Sequence, residues 1–111
     1  MYNLKIGVIK SIDDVLVNGV SALDEVGLSE IQLNCWNVPL CTKENAEKIK
    51  EMFGDKYTIS GIWAGWVVGP TVWNFVDGPQ TIGIVPETWR RERMEGIKKI
   101  MDFANMLNLK T

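Results

Sequence analysis

Glu30-Ile31-Gln32-Leu33-Asn34-Cys35-Trp36 reads as a strand, and soon after it Thr42 caps a helix in which Ala46, Ile49, Met52 and Phe53 share one face before Gly54 ends it. A strand followed by an amphipathic helix is one β/α unit, and both flanks repeat the order. Upstream, the apolar run Leu4 to Ile9 reads as a buried strand. Ser11 with Asp14 then makes a capping-box-like start to a helix carrying Ile12, Val15, Leu16, Val20, Leu23 and Val26, stopped by Gly27. Downstream, Tyr57 to Trp66 is rich in strand formers and includes Gly61 and Gly65. Pro86 opens a third helix from Glu87 to Leu107, with Met94, Ile97, Met101, Ala104 and Leu107 as its stripe and Ile100 and Phe103 widening it.

Three alternations predict an α/β fold of three consecutive β/α units, with parallel strands joined by right-handed crossovers. A doubly wound sheet and a barrel both satisfy that order. The first turn, Gly7-Val-Ile-Lys-Ser-Ile-Asp-Asp14, contains neither a G-x-G-x-x-G nor a P-loop, which favours a partial TIM barrel. Residues 1–111 are expected to form a single domain.

Composition narrows the function. The 12 Lys and Arg and 14 Asp and Glu residues leave a formal charge of −2 with no basic stripe, which argues against nucleic acid as a partner. No apolar run approaches the ~18 residues of a membrane span and no leader pattern opens the chain, so a cytoplasmic location away from membranes is expected. The chain has no histidine, which removes Ser-His and Cys-His nucleophile pairs and nearly every catalytic zinc site. Cys35 and Cys41, the only cysteines, are expected as reduced, partly buried thiols and not as a disulfide framework.

Active sites of β/α barrels lie where the strands end. The two-residue period points Ile31 and Leu33 at the helices and Gln32, Asn34 and Trp36 inward. An amide and an indole together suit a polyol, whose hydroxyls take amide hydrogen bonds and whose C–H face stacks on a ring. Asn34, Trp36, Trp66, Trp73 and Asn74 are the candidate substrate-binding residues, with Asn37 and Trp63 also at or beyond strand ends. The competing reading is that the tryptophans only fill the barrel top. The connection from Val67 to Pro86 is long enough to be functional and reads either as a packed lid or as an outer loop covering a helix face. Asp77 and Glu87 are the carboxylates placed near the mouth, and no catalytic acid and base can be paired. The charge run Arg90-Arg91-Glu92-Arg93 reads as a solvated helix start.

Glu30-Ile-Gln-Leu-Asn-Cys-Trp36, Ile62-Trp-Ala-Gly-Trp66, Gly69-Pro-Thr-Val-Trp-Asn-Phe75 and Gly78-Pro-Gln-Thr-Ile-Gly-Ile-Val-Pro86 together resemble the xylose isomerase-like TIM-barrel superfamily. Within it, the likeness is to bacterial proteins described as sugar-phosphate isomerases or epimerases. The resemblance implies the amino-terminal part of a (β/α)8 barrel, with a fourth strand due after Leu107. It also implies a sugar or sugar-phosphate ligand and a divalent metal, Mn or Mg, held by Glu, Asp and His residues from later strands. This chain would then supply pocket residues but no metal ligands and no cofactor of its own, and would be inactive alone. The alternative is a non-catalytic binding or structural module that self-associates to cover its open strand edges.

Overall fold

The computed structural model describes residues 4–65 and 68–109. Three parallel strands form one open sheet in the order β1 (Gly7–Ser11), β2 (Glu30–Asn34) and β3 (Thr58–Trp63). The helices are α1 (Ile12–Asn18), α2 (Lys43–Phe53), the single turn α3 (Gly78–Thr81) and α4 (Glu87–Met106), with 3-10 turns at Ser21–Val26 and Val38–Leu40. Among the described residues no helix is long and apolar enough to cross a membrane.

One hydrophobic core holds the chain together. Ile31 and Leu33 of β2 and Cys35 just after it are wholly buried, and they pack with Ile12 and Val15 of α1, Ala46, Ile49 and Phe53 of α2, and Ile100 and Phe103 of α4. The other face of the sheet is bare: Gln32 is exposed and its neighbour in register, Ile9, is 54% exposed. Alternation along β2 therefore places Ile31 and Leu33 on the helix side, as the two-residue period predicts.

Several boundaries differ from the sequence reading. β1 starts at Gly7, which pairs with Glu30, so Leu4 and Ile6 lie outside the ladder and are exposed. The first helix is broken in two: Gly19 takes φ +70, a left-handed value that an α-helix cannot continue through, and the chain resumes as a 3-10 turn. Val20 and Leu23 still reach the core, whereas Val17 and Val26 do not. The Ser11 hydroxyl caps α1 by accepting from the Asp14 amide at 3.2 Å, but Asp14 does not reach back as a capping box would. Its carboxylate binds Asn18 and Lys10 instead, and these two, Asn18 first, hold it below the usual carboxylate range.

The inward stripe of α4 is also rotated from the expected one. Arg93, Gly96, Ile100 and Phe103 are buried, and Leu107 follows just past the helix end, while Met94 and Met101 are 43% and 61% exposed. Hydropathy alone favours the methionines; packing selects the face on which Gly96 is buried and Arg93 finds acceptors. Phe103→Ala is expected to lower the unfolding free energy by about 3–5 kcal/mol, and Met101→Ala by about 0.5 kcal/mol or less. Urea denaturation of both variants measures this, and comparable losses would put the inward stripe on the methionines.

Candidate functional site

The carboxyl ends of the strands carry a polar and aromatic rim. Ser11, Asn34 and Trp63 lie side by side in register at the last rung of the sheet. Their alignment depends on a bulge: Ile31 pairs with Ile59, but Gln32 pairs with Gly61, so Ser60 is an extra residue in β3. The Ser60 hydroxyl donates to the Ile31 carbonyl at 3.3 Å. Because one inserted residue exchanges the faces of all that follow, Ile59 and Ile62 both pack on the core and Trp63 turns to the bare face beside Asn34.

Above that rung the indoles assemble. Trp36 meets Trp63 edge to face at 5.5 Å between ring centres and stacks on Trp73 at 6.2 Å with an interplanar angle of 5°. Each such pair contributes about 0.5–1.5 kcal/mol beyond its buried area. Trp36 lies directly on the backbone at Gly65, where a Cβ would come within 2.2 Å of the indole, so that position admits only glycine while the ring stays in place. Asn34 fixes the turn after β2 by accepting the Trp36 amide at 3.1 Å on Oδ1. Its Nδ2 group has no hydrogen-bond partner among the described residues. Asn37 donates to the Asp13 carboxylate at 2.7 Å, linking the turns that follow β1 and β2.

Of the residues singled out from the sequence, Asn34, Trp36 and Trp73 lie in this region, where Trp36 touches both Trp63 and Trp73 and Asn34 pairs in register with Trp63. Asn74 is adjacent, but its Oδ1 is engaged by the amides of Val76 and Asp77 at 2.9 and 2.7 Å, which makes it a turn former. Trp66 lies outside the described residues. Asp13 escaped the sequence reading because it sits in the first turn of a helix; its place two residues beyond the first strand was the available signal. Asp77 heads α3 and takes a hydrogen bond from Asn74, and Glu87 begins α4 in the open. The described residues hold no group of three His, Cys, Asp or Glu side chains that could hold a metal ion.

The connection between β3 and α4 is ordered by one side chain that the sequence reading left in solvent. Arg93 is 1% exposed, and its guanidinium donates to the carbonyls of Val68 at 2.9 Å, Thr81 at 2.5 Å, Gly83 at 2.8 Å and Pro70 at 3.2 Å. Its planar fork of donors is what lets it bind several carbonyls at once. One helical turn earlier, Trp89 closes over Gly69, and Arg90 binds the carbonyls of Ile84 and Val85 at 2.7 and 2.8 Å. The segment so gathered carries Trp73 to Trp36. It also frames an apolar hollow of about 490 Å³ lined by Trp73, Phe75, Pro79, Ile82 and Val85.

No family model, curated protein or solved structure matches this chain.

Arg93→Met roughly keeps the side-chain length but takes the shared donor from four part-buried carbonyls, at about 1–3 kcal/mol for any that water does not reach. Arg93→Lys offers a single ammonium that cannot span four acceptors. Both variants are expected to become sensitive to limited proteolysis between residues 68 and 86. Protection equal to that of the unchanged chain would show that the guanidinium does not hold the segment.

Proposed function

We propose that this chain is an arc of a β/α barrel whose strand ends form one wall of a sugar or sugar-phosphate pocket, as the amino-terminal portion of a sugar-phosphate isomerase or epimerase-like protein. The observation that carries the reading is the rim itself, where Asn34 and Trp63 end adjacent parallel strands, Trp36 follows two residues on, and Trp73 stacks on Trp36 from the connection beyond. Amides pair with hydroxyls and indoles cover the C–H face of a ring. Helices gathered on one face, with the other bare, are what an arc of a barrel requires, whereas a doubly wound sheet covers both faces. In the whole barrel a divalent metal would supply Lewis acidity for the isomerisation, from ligands that are not among these residues. This chain's own part is to bind and orient the ligand, and no turnover is expected from it alone.

Tryptophan emission titrated with pentose and hexose phosphates tests the pocket. Quenching that saturates in the millimolar range is expected. Trp36→Ala removes the central ring and Gly65→Ala displaces it, and each is expected to weaken binding about tenfold, the equivalent of ~1.4 kcal/mol. Unchanged emission at millimolar ligand would exclude a binding role for the rim.

A second reading, a self-associating non-catalytic module, draws on the bare face and on β1 and β3, whose outer edges have no partner strand among the described residues. Unpaired edges of this kind recruit further chains. Light scattering separates the two: a discrete oligomer that ignores sugar phosphates supports the module, and a monomer that binds them supports the pocket.

A further inference from the structure

Trp73 belongs to two surfaces. It stacks on Trp36 at the rim, and it also lines the apolar hollow of about 490 Å³ together with Asn74, Phe75, Pro79, Ile82 and Val85. That volume falls within the roughly 300–1,000 Å³ of small-molecule sites. The frame of the hollow is tied in place. The Val72 amide donates to the Thr81 hydroxyl at 2.9 Å, that hydroxyl donates to the Gly78 carbonyl at 3.2 Å, and the Ile82 amide donates to the same carbonyl at 2.9 Å. Gly78 lies so close to the Val72 carbonyl oxygen that a Cβ would approach it to 2.9 Å, and Arg93 holds the Thr81 and Gly83 carbonyls on either side of Ile82. A cavity framed in this way precedes its ligand, which lowers the ordering cost of binding.

The lining decides the chemistry of that ligand. None of the six residues carries a charge, and the one amide side chain among them is engaged: Asn74 Oδ1 accepts from the Val76 and Asp77 amides, and its Nδ2 donates to the Asp77 carboxylate at 3.3 Å. A charged group placed there would lose water without gaining a partner. An anion would in addition meet the Asp77 carboxylate beside Asn74. Trp73 and Phe75 favour an aromatic ring over an aliphatic group of equal area, because ring pairs attract one another beyond their burial. Phe75 is wholly exposed and Val85 largely so, and a ring seated between them would cover apolar surface that now faces water.

We propose that the hollow is a second ligand site, distinct from the rim in its chemistry, that binds an uncharged aromatic molecule of one or two fused rings.

Calorimetric titration of the full chain with 2-naphthol and with naphthalene-2-sulfonate, which share a ring system and differ in charge, tests this. The naphthol is expected to bind with a Kd of about 1 mM or tighter, as suits so small a ligand, and the sulfonate about tenfold more weakly or not at all. Phe75→Ser removes a wall that is already exposed, and Val85→Trp fills the hollow from a position that is also largely exposed, so both variants are expected to keep the fold. Each is expected to weaken naphthol binding about fivefold or more, with unchanged circular dichroism. Overturning results are no heat from the naphthol, a sulfonate that binds as tightly, or naphthol affinity unchanged in both variants. Self-association of the chain that Phe75→Ser abolishes would also overturn the proposal, by making a second copy the occupant.

Discussion

The extra residue at Ser60 is the constraint on which the rim depends. A regular β3 would carry Thr58, Ser60 and Ile62 on the bare face and send Ile59, Gly61 and Trp63 into the core. The bulge reverses the second half of the strand, so two isoleucines separated by three positions both pack inward and the indole emerges beside Asn34. Hydrophobic burial and aromatic exposure are satisfied by the same irregularity.

The second dependence is on a charge. A segment of some 20 residues between β3 and α4 has few apolar residues directed at the core; Phe75, Val76 and Val85 are largely exposed. Its order comes from α4, where Arg93 gathers four part-buried carbonyls, and without Arg93 those carbonyls would lose the donor they share. Burying a guanidinium without a carboxylate is costly, and it is tolerated here because carbonyl dipoles from several turns of the connection replace its water. Trp73 reaches Trp36 by this route, so an arginine remote from the rim sets the rim's geometry.

These two features mark the limit of what the sequence reveals. Strand order, the caps at Ser11 and Thr42 and the burial of Ile31 and Leu33 follow from spacing, because local sterics and alternation decide them. Asn34, Trp36 and Trp63 lie together because each stands at or just past a strand end, whereas Trp73 arrives through the connection that Arg93 anchors, which spacing does not reveal. Hydropathy found Ile100, Phe103 and Leu107 on the inward face of α4 but set Met94 and Met101 beside them, since the remaining inward members are Arg93 and Gly96 and an average over side chains scores both as outward. It could not see the break at Gly19, because the apolar spacing continues across it while the backbone does not. The bulge at Ser60 was hidden for a related reason: Thr58 to Trp63 contains strand formers in either register, and only pairing with β2 selects one.

The chemistry available at the rim follows from how its groups are already engaged. Asp13 accepts from Asn37, Asn74 is tied to its own turn, and Ser11 caps α1, so the polar atoms there mostly hold backbone and neighbouring loops in place. Trp36, touched on one side by Trp63 and on another by Trp73, presents to a ligand only what those rings leave uncovered. Such a surface contacts a small molecule from one side. Full enclosure, which gives small ligands most of their affinity, needs an opposing surface. The bare face of the sheet meets the same need from the energetic side, because whatever covers Ile9 and Gln32 also stands opposite the rim. Under the proposed pocket, completing it and burying the open sheet face are therefore one structural problem, since Asn34 and Trp63 of the rim share that face with Ile9 and Gln32.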